Sequence, residues 1–532
     1  MDPVRAYERR WFTLLVLCIS LMVIGLDNTI LNVALPSLVR QLHASTSQLQ
    51  WMVDSYIIVF AGLLLTAGSL GDRFGRKRGL TIGLAVFGLG SLLSSLAGSA
   101  VMLIATRGLM GIGAAFIMPS TLSILTNVFT APAERAKAIG IWAGVSALGI
   151  GVGPLVGGIL LQHFWWGSVF LVNVPLVIVG LALGRFLIPE SRDPSAPRLD
   201  PIGAVLSIAG LATLLWGIIE APSRGWGSPG ILAAFGAGAA VMAAFVAWEL
   251  HSSSPMLNVR FFENPRFTSA SMAITLVFFA LFGSLFVLTQ YLQIVLGYST
   301  LRAGLVLLPQ AGVLMVVAPT SNLIVRRIGS KLVVAFGLAV VATSLGLFIT
   351  LTPNSTMLHV IGITALMSVG MGYVMAPATE SIMGSLPRDK AGVGSAVNDT
   401  TRQVGGAVGV AVVGSLLSSR YASTMTRFFH GSPAPAGVTR SVGQALKVAQ
   451  GLPPAAGQAL RAASNNAFTS AMHTAVAVGA VMALIGAVEV LLFLPGRAHD
   501  DPQRAGAPSV AGDDRDELDQ LELVAAGLGG QA

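Results

Sequence analysis

Five ionisable side chains fall inside stretches of sequence that are otherwise too apolar to hold them. Asp27 lies midway along the first apolar run, in Leu26-Asp-Asn-Thr-Ile-Leu-Asn-Val-Ala-Leu-Pro36, and Asp54 about one turn inside the second, in Trp51-Met-Val-Asp-Ser-Tyr56. Arg107 stands about two turns into the fourth, in Leu103-Ile-Ala-Thr-Arg-Gly-Leu-Met-Gly111. Asp399 and Arg402 share Asn398-Asp-Thr-Thr-Arg-Gln403, near one end of the thirteenth, where spacings of three and four put Arg402 and Gln403 on the face of Asp399. An ionised group in hydrocarbon costs roughly 3 to more than 10 kcal/mol, so each is a functional hypothesis until a partner accounts for it. A guanidinium stays protonated and can hold a nearby carboxylate charged; an arriving proton or cation can then break the pair. Competing readings are a static buried salt bridge at Arg107, a wet helix-start carboxylate beside an aromatic belt at Asp54, and a self-satisfied pair near the headgroups at Asp399 and Arg402.

The elements that must position these charges are membrane helices. Of 532 residues, 54% are hydrophobic and only 11% charged, with mean hydropathy +0.76, whereas soluble domains carry about 25% charge. Apolar runs, most of them about 20 to 28 residues long, begin near Trp11, Trp51, Gly79, Val101, Ala136, Trp166, Pro201, Pro229, Phe267, Arg302, Leu332, Met357, Ala391 and Ala467. The first follows Arg5, Arg9 and Arg10 without a small-residue cleavage site, so it reads as a span and not a signal peptide. The expected fold class is an all-α polytopic membrane protein of about fourteen transmembrane helices. Basic residues collect in alternate short loops, at Arg73 to Arg78, Arg135 and Lys137, Arg192 and Arg198, Arg260 and Arg266, Arg326 to Lys331, and Arg388 with Lys390. Both termini are therefore predicted to be cytoplasmic.

The formal charge of +8 is scattered over those loops and forms no stripe, which argues against nucleic acid as a partner. The single cysteine, Cys18, excludes an intrachain disulfide or a thiolate metal cluster, and the histidines, His163 and His359 included, show no metal-ligand spacing. No G-x-x-x-x-G-K-[ST] phosphate loop is present, so ATP is not the expected energy source. The segment at about 420–466 is rich in Pro, Ala, Gly and Ser and reads as a long extracytoplasmic connection, in which Pro453 to Ala467 can form a short surface helix. Residues 497–532 turn acidic and read as a disordered cytoplasmic tail.

Two motifs organise the chain. Gly68-Ser-Leu-Gly71-Asp72-Arg73-Phe-Gly75-Arg76-Lys77-Arg78 is a glycine-punctuated basic hairpin between two spans. It resembles the loop between helices two and three of the major facilitator superfamily. Asn322 to Lys331 echoes it in the second half, with Arg326 where Asp72 stands, which suggests two facing bundles of six helices. The expected division is a first bundle at 1–190, two linking helices at 191–255 and a second bundle at 256–496. Gly149-Ile-Gly-Val-Gly153-Pro154-Leu-Val-Gly157-Gly158 is similar at every fixed position to the fifth-helix motif of that superfamily's antiporters. Proline there bends the helix and the small residues permit close approach. The segments around Asp27 and Arg107 resemble the first- and fourth-helix signatures of its fourteen-helix drug:proton antiporters, and an acidic residue at the place of Asp399 occurs in its quaternary-ammonium exporters.

The resemblance implies a secondary active transporter, not an enzyme: a monomer in a bacterial plasma membrane that exports lipophilic, cationic compounds in exchange for protons. It would need no cofactor and no metal, only the proton motive force. Asp27, Asp54 and Asp399 would be neutralised alternately by protons and substrate, with Arg107 tuning the first pair. Gln290, Tyr291, Gln293 and Gln310 are candidates for lining the cavity, while Glu220, Glu249 and Glu380 read as solvated boundary residues. A dedicated exporter of an endogenous metabolite, peptide or lipid would share every motif. Uptake of a nutrient fits Gly153-Pro154 less well, and a membrane enzyme or non-transporting sensor would need a catalytic cluster or soluble domain that the sequence lacks.

Overall fold

Capping chemistry sets most of the helix starts. Ser45 and Gln48 form a capping box, Ser99, Asn264, Ser299 and Thr356 each accept a backbone N–H two or three residues on, and Pro132, Pro201, Pro229 and Pro265 occupy first-turn positions. The computed structural model describes residues 8–191, 200–255, 257–386, 391–429, 435 and 437–495. Within its helices the side chains of Asp72 and Arg326, among others, lie outside the described set, as do Arg192, Arg198, Arg388, Lys390 and the 497–532 tail.

The first half comprises α1 (Arg10–Gln41), α2 (Thr46–Phe74), α3 (Arg76–Ser95), α4 (Ala100–Val128), α5 (Pro132–His163) and α6 (Ser168–Leu187), the last broken at Val172. Then come α7 (Pro201–Arg224) and α8 (Pro229–His251). The second half comprises α9 (Pro265–Gln290), which runs on through a π turn at Tyr291–Val295, then α10 (Thr300–Ile328), α11 (Ser330–Leu347), α12 (Met357–Gly384), α13 (Ala391–Phe428), the short α14 (Val442–Gln450) and α15 (Pro454–Phe493). Among the described residues, 12 helices are long and apolar enough to cross a membrane. Two further helices, α2 and α5, run for 29 and 32 residues beside them.

The helices pack in two groups of neighbours, one in each half of the chain. In the first half α1 packs on α5 and α2 and α3 on α4; in the second α9 packs on α13, α10 and α11 on α12, and α11 on α15. Contact across the halves runs mainly along two seams, α5 against α10 and α2 against α13, with α1 also touching α9, and α7 touches both α2 and α13. The two hairpins also match. Gly75 between α2 and α3 and Gly329 between α10 and α11 take φ +122° and +86°, a backbone that a side chain would strain, which is why each hairpin keeps its glycine.

The last two spans differ from expectation. Helix α13 continues past Arg420 to Phe428, and α15 is one continuous helix of 40 residues starting at Pro454, where a separate surface helix followed by a span from Ala467 was anticipated. No proline interrupts Ala455 to Ala467, and its alanines favour a helix despite Gly457. The extensions also bind each other: the buried Tyr421 hydroxyl lies 2.8 Å from Ser464 Oγ and donates to the Val438 carbonyl at 3.2 Å.

Candidate functional site

Asp27 and Arg107 meet. They come from helices 80 residues apart, form a hydrogen-bonded ion pair, and are 0% and 2% exposed. The guanidinium Nε donates to the Met52 carbonyl of α2 at 2.9 Å, and its Cζ lies 4.3 Å from the Tyr56 ring centroid and 6.0 Å from that of Phe170. Planar Arg suits such a site, since it stacks and forks at once where Lys would do neither. Asn173, just past the break in α6, donates to Asp27 Oδ1 at 3.5 Å and to Ser91 Oγ at 3.2 Å, while Ser91 donates to the Phe170 carbonyl at 2.8 Å. Helices α1, α2, α3, α4 and α6 thus converge on one carboxylate. Its charge is compensated inside an apolar wall, and removing either partner would leave the other alone there.

Asp54 does not join that pair. Its side chain is 0% exposed, and neither carboxyl oxygen has a hydrogen-bond partner in the structure. It lies one turn beyond Gln50 on α2, and Gln50 reaches α13 across the seam between the halves. A buried carboxyl in this state has its whole acceptor capacity open to a proton or a cation.

The second-half charges form a looser arrangement. Arg402 Nη1 is 3.9 Å from Asp399 Oδ1, the two side chains are 26% and 13% exposed, and Arg402 also donates to Thr379 Oγ1 at 3.3 Å and faces the Phe278 ring at 5.5 Å. Thr379 in turn donates to the side-chain Oδ1 of Asn398 at 3.2 Å. A pair stretched to that length leaves the carboxylate capacity for another partner.

The two sequence motifs do different structural work. On α5, Gly149, Gly153 and Gly157 lie against α1, where added Cβ atoms would meet Gly25, Thr29 and Ile30. Gly151 and Gly158 instead face α10, and from that side Gly304 presses on the Pro154 carbonyl. Small residues on both faces let one helix touch its own bundle and the opposite one at backbone distance. The Gly68–Arg78 hairpin is held by the segment that follows α6: a Cβ on Gly75 would come 2.5 Å from Glu190 Oε1, the Lys77 N–H donates to that oxygen at 3.2 Å, and the Arg76 N–H donates to the Ser191 carbonyl at 2.9 Å. Gly68 and Gly71 pack on Pro119 and Ser120 of α4, and Arg73 is exposed with its guanidinium 5.6 Å from the Phe74 ring.

A sequence profile of the Major Facilitator Superfamily matches residues 17–410, the span that holds these helices. The chain belongs to the major facilitator superfamily. It is 37% identical over 494 residues to the multidrug efflux pump LfrA of Mycolicibacterium smegmatis, covering 91% of this chain and 96% of that protein. To the methyl viologen resistance protein SmvA of Salmonella typhimurium it is 34% identical, with 90% and 97% covered. To the tetracenomycin C resistance and export protein of Streptomyces glaucescens it is 35% identical, with 77% of each covered. A bacterial homologue of the human lysosomal transporter Spinster superposes with a TM-score of 0.63 at 18% identity, covering 94% of this chain and 99% of that one, a likeness of fold. This is therefore a multi-pass membrane protein of a transporter superfamily, related to efflux and resistance proteins, and not an enzyme.

The other singled-out residues of this superfamily member are placed as follows. Gln290 donates to Phe286 of its own helix at 2.9 Å, the Tyr291 hydroxyl donates to the Thr352 carbonyl at 2.6 Å, Gln293 donates to the Val33 carbonyl at 2.8 Å, and Gln310 is half-buried on α10. Glu380 is exposed and Glu220 pairs with Arg224. Glu249, expected at a wet boundary, is instead buried and accepts the Leu257 N–H at 2.9 Å, because the chain after α8 folds back over it. Among the described residues no cluster of His, Cys, Asp and Glu fit for a metal occurs. Sequence reasoning missed Gln50, Ser91, Asn173 and Glu190, which are uncharged or sit at a loop. It also missed Glu489, half-buried in the apolar α15 and accepting from Ser269 Oγ at 2.7 Å. The criterion that singled out Asp27 would have found Glu489.

Proposed function

We propose that this protein is a proton-coupled exporter of lipophilic cations in the plasma membrane of a bacterium, working as a monomer by alternating access. The observation that carries the coupling is the fully buried Asp54 carboxyl with no hydrogen-bond partner, one helix away from a carboxylate that already has its guanidinium. Ionised and alone, Asp54 would cost several kcal/mol; a proton or a cationic substrate removes that cost, and the two exclude each other. Asp399, loosely held by Arg402, is the second carboxylate that a cation can claim. Efflux as the direction is supported by similarity to LfrA and SmvA, whose names speak of multidrug efflux and of resistance to methyl viologen, a dication.

In this reading α2 and α5 complete fourteen spans, residues 1–190 and 256–496 are the two rocking bundles, 191–255 links them, and both termini are cytoplasmic. The end of the bundle that carries the α1–α2 turn is then extracytoplasmic. Energy comes from the proton motive force alone, with no cofactor. Export of an endogenous product is the second reading, favoured by the similarity to the tetracenomycin C export protein.

The test is proton release from everted vesicles holding an imposed acid-inside gradient, on addition of a fluorescent lipophilic cation. Prompt release, absent from vesicles lacking the protein, is the expected result. Cation accumulation without proton movement would overturn the coupling, and no response to cations from folded protein would move the reading to an endogenous or neutral substrate.

A further inference from the structure

At the end carrying the α1–α2 turn, two glutamines cross between the halves in opposite directions. Gln50, in the first turns of α2 and 0% exposed, points its Nε2 at the Ala411 carbonyl at 2.9 Å, the Val410 carbonyl at 3.2 Å and Ser415 Oγ at 3.2 Å, all on α13. The slot it enters exists because residue 414 is glycine: a Cβ there would lie 2.7 Å from Nε2. Gln293, 7% exposed and turned inward by the π turn that ends α9, donates from the second half to the Val33 carbonyl of α1 at 2.8 Å. Both side-chain carbonyl oxygens are buried without a partner.

We propose that Gln50 and Gln293 are a reciprocal pair of releasable amide latches, one from each half, that hold the bundle closed at this end. The inference rests on the alternating-access reading above. The choice of acceptor is the argument. A helix carbonyl has two lone pairs and spends one on its own helix, so when a latch lets go nothing on the opposite helix is left orphaned. The glutamine itself, short of one bond while shut, gains water when the seam opens, so closure is held but not locked. An ion pair at the same place would leave two bare charges on opening. An amide is also neutral on both sides of the cycle, so these latches answer to helix position and leave proton sensing to the carboxylates. As positioning residues, they set the balance between conformers without touching substrate.

The test uses the full-length protein in nanodiscs on a Cys18→Ser background, with spin labels at Gln41 and Arg302, exposed positions at this end of α1 and α10. Distances are read for Gln50→Met, Gln293→Met, the double variant and Gly414→Ala. Methionine keeps length and removes the donor; alanine at 414 fills the slot and pushes the amide out while residue 50 stays glutamine. Loss of one net hydrogen bond should lower the ratio of short to long distances about three- to tenfold in each single variant. The double should show about the product, since the two bonds engage different helices, and Gly414→Ala should reproduce Gln50→Met, which covers the case in which that variant fails to fold. Unchanged distances in a double variant of unaltered melting temperature would overturn the latches. The measurement needs no substrate, so shifted distances in a protein that exports nothing would sink the export reading and leave the latches standing.

Discussion

The two acid–base pairs of this transporter differ in how they are made. Asp27 and Arg107 come from different helices and are sealed among a backbone carbonyl, an asparagine and two aromatic rings. Asp399 and Arg402 lie three residues apart on one helix, stretched to 3.9 Å and partly open to the surroundings. A sealed pair across helices ties folding to charge balance, because either member alone is stranded. A local, slack pair can be interrupted and restored without disturbing the fold. The first half therefore holds its charge at Asp27 and the second half offers one, while Asp54, also in the first half, holds none of its acceptor sites in use.

The largest way to break this contrast is Arg107→Ala. Stranding Asp27 should destabilise the protein by about 3–5 kcal/mol and abolish export, read as a lower melting temperature and loss of dye efflux. Pairing Arg107→Met with Asp27→Leu should recover most of the stability without recovering transport; recovered transport would make the pair packing alone. Next in size, Asp54→Asn keeps volume and breaks no hydrogen bond, so its melting temperature should stay close to that of wild type while proton release on cation addition falls at least about tenfold. Asp399→Asn should reduce dication export roughly tenfold more than export of neutral compounds, one lost charge contact being worth about 1.4 kcal/mol, with little change in melting because so loose a pair contributes under about 1 kcal/mol. Equal losses for both substrate kinds would remove Asp399 from charge reading. The smallest effect belongs to Asn173→Ala, which deletes the donor to Asp27 and Ser91 and should cost about 1 kcal/mol of stability with export reduced but measurable.

Much of the fold was legible because the bilayer imposes few solutions. Apolar runs of spanning length placed most of the helix starts within a few residues. The C-terminal end of α13 and the N-terminal end of α15 were misjudged, since Ala455 to Ala467 is polar enough to read as loop by hydropathy yet contains no proline to stop a helix. With Glu190 and Glu489 passed over, the other charged site residues were legible. Gln50 and Asn173 were not, because an amide in a membrane helix is inexpensive enough to occur for many reasons.

By itself the sequence determined that Asp27, Asp54, Arg107, Asp399 and Arg402 lie in long apolar segments, since hydrophobic length and charge cost are properties of the chain alone. It also determined that α5 would be a close-approach helix, from its glycines and Pro154. Only the tertiary structure decided that Arg107 goes to Asp27 and leaves Asp54 alone, that the α5 glycines serve two neighbours, and that two glutamines bridge the halves. Those outcomes depend on which helix faces meet, and a helix's own sequence gives its faces but not the partner each one finds.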